Sequence, residues 1–429
     1  MESPKANEGG LVMTACGLDF GTSNSALGVL VGGQPVLAAL DGEDTLLPSA
    51  IFFDLETKGR VLFGQEAIAA SIAQQDGRLM RALKTILGSP LIDEATAVGT
   101  RRIKLTDVIE TFIRHMKAKA ETFLDEEITQ VVHGRPVRFV DHDDDADARA
   151  QRVLEEIARR AGFRDIRFVY EPIAAAYHYE ESVGREEIVL VADIGGGTSD
   201  FTVIRIGPER RGRADRTGDV LSNRGVRIGG TDFDTLLSLV AVMPLLGLGT
   251  KLIEKDLPMP KSVYFELATW AMINFTYTYR TEREVRELLA GACEPDKVRR
   301  LLDTITHRLG HRIAFAVEDA KIGLSEVAAA PIPLEFVEAG LAALASRAGF
   351  DAAIREKTDA LTHMATACVA DAGVKPDAIH TVFLTGGSSR VPAVQRAISL
   401  AAPGARATTG SDFLSVALGL TREAARLFA

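Results

Sequence analysis

The amino-acid sequence predicts an α/β protein of two duplicated lobes facing each other across a cleft. Two stretches carry that prediction. Val189 to Arg205 (V-L-V-A-D-I-G-G-G-T-S-D-F-T-V-I-R) reads as an apolar strand ending at Asp193, a glycine turn at Gly195, Gly196 and Gly197, and a return strand through Phe201, Val203 and Ile204. Near the N-terminus L-D-F-G-T repeats the plan of A-D-I-G-G, with Asp19, Gly21, Thr22, Ser23 and Ser25 in the matching places. Two half-molecules built alike would set two such hairpins face to face. Glycine lets the backbone turn successive N–H groups toward an anion, so such a turn suits phosphate. Asp193 and Asp200 add the hard oxygen ligands that Mg²⁺ prefers. A plain glycine hairpin is the common alternative, but it explains neither the flanking aspartates nor the twin.

Composition narrows the classes. At 429 residues, with 46% hydrophobic and 25% charged side chains, the chain has room for two to three domains. A formal net charge of −10 argues against nucleic-acid binding, which needs a basic surface. Cys16, Cys293 and Cys368 are scattered and odd in number, the pattern of reduced thiols in a cytoplasmic protein. The polar N-terminus lacks a signal-peptide pattern, and the apolar run Leu236 to Gly249, broken by Pro244, reads as a buried helix and not as a membrane span.

In chain order, Leu11 to Phe20, Ala26 to Val31 and Pro35 to Leu40 read as strands, with Gly32-Gly33 as a hairpin turn. Leu46 to Phe53 reads as a strand and Gln65 to Leu87 as a helix with Lys84 in its last turn, where a lysine favours the dipole. Apolar spacing at Val108, Phe112, Ile113 and Met116 marks a helix over Lys104 to Leu124. D-H-D-D-D-A-D at 141–147 starts like a calcium loop but lacks its glycine and has Arg152 at the twelfth position, so an acidic helix start over Ala146 to Ala161 fits better. Ile128 to Val132 and Ile166 to Val169 are short strands. The second delivers Glu171 just before Pro172, a proline suited to a first helical turn, and the alanines that follow form a narrow packing face. The basic segment 208–216 reads as a solvated hairpin tip.

Residues 235 to 325 read as mostly helical, with Trp270, Tyr277 and Tyr279 as packing residues. Glu318 and Lys321 share a helix face at i, i+3 and read by themselves as a surface ion pair. Pro331 to Phe336 is a strand, Ala339 to Ala372 helical, and His380 to Leu384 a strand delivering T-G-G-S-S-R-V-P, a third glycine turn at a helix start. A helix from about Ser411 to Phe428 closes the chain.

Six segments together, G-L-D-F-G-T-S-N-S, V-Y-E-P-I-A-A-A, D-I-G-G-G-T-S-D, I-G-G-T-D-F-D, E-D-A-K-I-G-L-S and L-T-G-G-S-S-R-V-P, resemble the actin-like ATPase superfamily and, within it, the DnaK-type heat-shock chaperones of the heat shock protein 70 family. The resemblance implies an actin-like ATPase (ribonuclease H-like) fold: lobe I over 11–184 with an inserted subdomain at about 41–113, and lobe II over 185–429 with one at about 233–316. It implies ATP or ADP with Mg²⁺ in the cleft. Gly195, Gly196 and Gly197 would hold the β-phosphate and Gly21, Thr22 and Ser23 the other side, with Asp19 and Asp193 organising Mg²⁺ largely through water. Lys84 would stabilise charge on the γ-phosphate, with Glu171, Thr198 and Asp200 completing the catalytic network. Glu318, Lys321 and Ser325 would bind ribose and adenine, Gly386, Gly387, Ser388 and Arg390 would form the far wall, and Asp412 would lie near the base.

Departures limit the resemblance. The chain ends at Ala429, directly after the ATPase core, so no peptide-binding domain is expected and the sequence is similar to the shortened, YegD-like branch. G-R-P-V-R-F stands where the family has V-P-A-Y-F, leaving Pro136 as a candidate switch proline. The expected function is a chaperone-like, slowly hydrolysing ATP switch acting on an unidentified protein partner, with no nucleic-acid or membrane partner. The alternatives are an MreB-like filament protein, whose relatives carry glutamate where Asp200 stands, and a small-molecule kinase, for which no substrate base is singled out.

Overall fold

The computed structural model describes residues 15–428 except 58, 212, 214, 254–256 and 411–413. Two central sheets share one topology. In the first, the order is Asp165–Tyr170, Gln130–Arg135, Ala15–Asp19, Asn24–Val31, Gln34–Leu37; in the second it is Arg406–Thr409, Thr381–Thr385, Glu187–Ile194, Ser199–Ile206, Val220–Val226. Each sheet joins an antiparallel meander to two parallel strands. The internal repeat read from Asp19 and Asp193 is thus a repeat of whole sheets: Asp19 ends the middle strand of its sheet and Asp193 stands one residue before the end of the other.

Two helices fill the space between the sheets. Glu171–Glu180 starts with Pro172 in its first turn and buries Ala174, Ala175 and Ala176. Those alanines let the C-terminal helix Ser415–Leu427 approach until a Cβ on Gly419 would lie 1.9 Å from Ala174 O. The same helix crosses the first sheet, where a Cβ on Gly17 would lie 2.3 Å from Thr421 N. One core, with Ala15, Val132, Val191, Phe383 and Leu420, therefore belongs to both lobes. Larger cores cover the outer faces, under Leu105–Leu124 and Asp144–Arg160 on the first sheet and under the helices after Gly230 on the second. Among the described residues no helix is long and apolar enough to cross a membrane.

Several expectations need correction. Residues 65–87 are not one helix but a helix Gly64–Ile72, a strand Gly77–Arg81 and a four-residue helix Lys84–Leu87. Gln74 and Ala82, at φ 54° and 56°, turn the chain out of helix, and pairing with Ala50–Asp54 overrides the helix preference of Leu79, Met80 and Arg81. Lys84 consequently opens a helix, so it does not serve a dipole at the end of one. In 339–372 a strand Ala342–Ser346 pairs with Ala329–Pro333 before the helices Arg347–Ala353 and Arg355–Asp371 begin. The apolar run after Leu236 continues the helix Gly230–Ala241 only to Ala241, with a 3₁₀ turn Met243–Leu246 at Pro244.

The segment 208–216 is solvated only in part: Pro208, Glu209, Arg213 and Asp215 are exposed as expected, but Arg216 turns inward. Arg216 is buried, places both terminal nitrogens 2.7 and 2.8 Å from Glu180, and packs its guanidinium 4.4 Å over the Tyr177 ring. Tyr279 is 81% exposed, so of the expected packing aromatics only Trp270 and Tyr277 take that role. The acidic run at 141–147 is a helix start as expected: Asp143 caps Asp144–Arg160 by accepting from Ala146 N at 2.9 Å.

Candidate active-site cleft

Three glycine turns converge between the sheets. In the first, Ser49 Oγ donates to Gly21 O at 2.7 Å and Gly21 N donates to Ser25 Oγ at 3.2 Å, so the hydroxyls following Asp19 shape the turn. In the second, Gly195 N donates to Thr198 O at 2.9 Å. The two turns touch: a Cβ on Gly196 would lie 2.5 Å from Ser23 Oγ, and one on Gly197 2.9 Å from Thr22 Oγ1. None of Gly195, Gly196 or Gly197 has positive φ. Glycine is required at Gly196 and Gly197 for close approach, against the expectation of a backbone only glycine adopts, whereas a Cβ on Gly195 would meet only Thr198 O, at 3.5 Å. The third turn does need that freedom, since Gly386 has φ 78° and a Cβ on it would lie 2.4 Å from Ile194 O. Ser388 Oγ then donates to Gly195 O at 3.0 Å, tying the third turn to the second.

Carboxylates crowd the floor. Lys84 Nζ sits 2.6 and 2.7 Å from the two oxygens of Glu171, and both residues are buried. Asp19, Asp193 and Asp200 surround this pair and are themselves largely removed from water. Burial, then the Glu171 charge, pushes the carboxyls of Asp193 and Asp200 up to about 8 and that of Asp19 well above its ordinary value. Burial would lower the Lys84 ammonium, but Glu171 with Asp19 and Asp200 outweighs it and raises it. Asp200 Oδ1 accepts from Val137 N at 2.7 Å, which links the second hairpin to the segment after Pro136.

Four carboxylates around one ammonium form a site short of positive charge, and hard oxygens suit Mg²⁺. Among the described residues no group of three or more His, Cys, Asp or Glu could hold a metal. The donor set therefore fits an ion bound mainly through phosphate oxygens and water, not one enclosed in a protein cage.

The cleft encloses about 300 Å³ and is lined from both lobes. Asp19, Gly21, Thr22, Ser23, Lys84, Glu171, Asp193, Gly195, Gly196 and Thr198 line it together with Glu318, Lys321, Ser325, Gly386, Gly387, Ser388 and Arg390. Asp200 and Gly197 stand just behind this lining. Asp412 lies outside the described residues.

Glu318 and Lys321 do not pair with each other as the helix spacing suggested. Arg81 reaches across from the other lobe to Glu318 at 2.5 and 3.4 Å, while Lys321 Nζ lies 2.6 Å from Asp234 and 3.4 Å from Gly230 O. Burial would raise the Glu318 carboxyl, but Arg81 and then Lys321 hold it below the usual range. Asp234 also accepts from Trp270 Nε1 at 3.1 Å, so Trp270 orients a charge as well as packing. Sequence reasoning missed Arg81 and Asp234, although Asp234 stood within I-G-G-T-D-F-D.

A family model described as Hsp70 protein matches residues 92–243 and 296–418, well over half of the chain. The match takes in Glu171, the Asp193 hairpin, the Glu318 helix and the third glycine turn, and the duplicated sheet supplies the first hairpin that it does not reach. A repeated sheet with three touching glycine turns is the architecture expected of an actin-like ATPase. The chain therefore belongs to the Hsp70 family, and the part that matches is its ATP-binding, chaperone-type nucleotide-binding domain.

Proposed function

We propose that the protein is a Mg-ATP-dependent molecular switch of the YegD-like kind, hydrolysing ATP slowly and passing its nucleotide state to a protein partner. The observation that carries this reading is the bidentate Lys84–Glu171 pair set among Asp19, Asp193 and Asp200, directly beneath two touching glycine turns. Lobe I is taken as 11–184 and lobe II as 185–429, so the cleft between them would open and close around the nucleotide.

The residues divide by position. Gly196 and Gly197 offer backbone N–H groups to the β-phosphate, Gly195, whose own N–H is taken by Thr198 O, shapes the turn that holds it, and Gly21, Thr22 and Ser23 hold the opposite side. Lys84 faces the γ-phosphate and neutralises charge that builds there, while Glu171, Thr198 and Asp200 orient the attacking water. Glu318, Lys321 and Ser325 take the ribose and base; Gly386, Gly387, Ser388 and Arg390 form the wall opposite, with Asp412 nearby. Asp19 and Asp193 would hold Mg²⁺ through its waters, and the ion would supply neutralisation of the phosphate chain.

A coupled assay of phosphate release with Mg-ATP alone, run beside sedimentation at micromolar protein, tests the reading. Slow release unchanged by a panel of sugars and acetate, from protein that stays in the supernatant, is expected. ATP-dependent pelleting would support a filament instead, and release that requires a phosphate acceptor would support a kinase.

A further inference from the structure

Two stretches of lobe I stand outside the nucleotide contacts: R-P-V-R-F at 135–139 and the acidic run that starts at Asp141. They form one segment between the floor of the cleft and lobe II, and Arg135 anchors its start. The Arg135 guanidinium is buried, donates from Nη2 to Asp147 Oδ2 at 2.8 Å and from Nε to Pro136 O at 2.9 Å, and lies 4.9 Å over the Phe139 ring. Asp147 Oδ1 in turn accepts from Phe139 N at 2.6 Å. A buried ion pair that also satisfies backbone groups rigidifies the segment.

From behind, the segment touches the floor of the cleft at two places. Val137 N donates to Asp200, and Phe139 O lies so close to Gly88 that a Cβ there would stand 1.9 Å away. Gly88 directly follows the helix Lys84–Leu87. A helix of four residues makes few bonds of its own, and its last carbonyls find no partner within it. Its direction, and with it the aim of the Lys84 ammonium, is therefore set from outside. Phe139 supplies one stop, from lobe I.

The other stop comes from lobe II. Arg227, one residue past the strand Val220–Val226, is half-buried and donates from Nη1 to Gly88 O. A guanidinium on the last carbonyls of a helix caps them and suits the negative end of the helix. The backbone of Arg227 is held as well: its N–H reaches both oxygens of Asp141, at 3.2 and 3.1 Å. One residue of lobe II thus grips both the end of the Lys84 helix and the acid that closes the 135–141 segment.

We propose that Arg227 is a positioning residue for Lys84: it carries the position of lobe II to the Lys84 helix through Gly88 O, and Asp141 holds it in place to do so. The inference rests on the nucleotide reading above, in which Lys84 faces the γ-phosphate. It puts the hydrolytic step under the control of lobe closure. ATP affinity is left alone, since among the described residues the lining of the cleft does not include Arg227.

The test is single-turnover hydrolysis by protein preloaded with Mg-ATP, beside equilibrium titration of ATP. Arg227→Met keeps the length of the side chain and removes its donors. It should turn over roughly 10-fold to 100-fold more slowly, the cost of a misaimed catalytic group, with ATP affinity within about twofold of the parent. Arg227→Lys returns a donor to Gly88 O and should recover most of the rate. On a Lys84→Ala background Arg227→Met should slow turnover by less than about threefold, because nothing is left to aim, whereas a general loosening of the fold would add in full. Asp141→Ala should slow turnover in the same way and lose its effect without Lys84, which keeps the test decisive if Arg227→Met folds poorly. Turnover of Arg227→Met close to that of the parent, an affinity loss that matches the rate loss, or an undiminished effect without Lys84 would overturn the inference. Slow turnover by Lys84→Ala beside normal turnover by Arg227→Met removes this inference alone. Normal turnover by Lys84→Ala removes the role of Lys84 and this inference with it.

Discussion

Replacing Lys84 with alanine separates the two jobs of its ammonium. In the folded protein Lys84 Nζ bridges both Glu171 oxygens at 2.6 and 2.7 Å, with side-chain exposures of 6% and 7% for the pair. Lys84→Ala leaves the Glu171 carboxylate buried beside three aspartates, and breaking such a pair costs about 3–5 kcal/mol. Hydrolysis loses a preorganised positive charge at the γ-phosphate, an effect on the order of 10²–10³ in rate, or roughly 3–4 kcal/mol. ATP binding should survive within a few-fold, because the glycine turns and the Glu318 side of the cleft are untouched. A single-turnover assay on protein preloaded with ATP measures the rate, and urea titration measures the stability. The double variant Lys84→Met/Glu171→Gln removes both charges; it should regain most of the stability and stay slow. Turnover of Lys84→Ala within threefold of the parent, at normal ATP occupancy, would refute the role given to Lys84.

Three further outcomes are expected. The carboxyls of Asp193 and Asp200, raised to about 8 from an ordinary value near 3.8, bind protons more tightly folded than unfolded, so they favour the fold at low pH and lose that contribution as pH rises toward 8. His115, His133, His178 and His311 are all held below the ordinary imidazole value mainly by burial, and they stop contributing about one unit above 6.5, once the unfolded imidazoles are deprotonated. Tm of the nucleotide-free protein should therefore fall between pH ~7.5 and ~8.5, and less in Asp193→Asn; a flat profile would contradict the charge shortage. Gly196→Ala places a methyl 2.5 Å from Ser23 Oγ and should weaken ATP binding at least tenfold, on the order of 1.4 kcal/mol, which equilibrium titration with a fluorescent analogue would read. Arg216→Met strands the buried Glu180 carboxylate and should lower stability by about 3–5 kcal/mol in urea unfolding, whereas the solvated-tip reading of 208–216 predicts almost no change.

The parts of the site written in contiguous residues were legible in the sequence. Asp19 and Asp193 with their glycine turns announce themselves because the strand, the carboxylate and the turn are adjacent in the chain. Glu171 before Pro172, and Gly386 before Ser388, are local in the same way. What was not legible depends on distant partners. Arg81 looked like one more residue of a helix, because its strand exists only through pairing with Ala50, and its acid Glu318 is 237 positions away. Lys321 and Glu318 looked like each other's partner for want of sight of Asp234 and Arg81. Composition misled at Arg216, where a run of arginines suggested solvent while Glu180 and Asp219 draw this one inward. Gly196 and Gly197 of the Asp193 turn are demanded by contact with Thr22 and Ser23, not by left-handed backbone.

The central claim is that the carboxylate floor and glycine turns together form a Mg-ATP site. Calorimetric titration of ATP into the parent protein, with Mg²⁺ and then with EDTA, tests it most directly when repeated on Asp193→Asn. The account predicts saturable one-to-one binding with Mg²⁺, at least tenfold weaker in EDTA, and little further effect of EDTA in Asp193→Asn. No binding by the parent, or binding of equal strength with and without Mg²⁺, would contradict it.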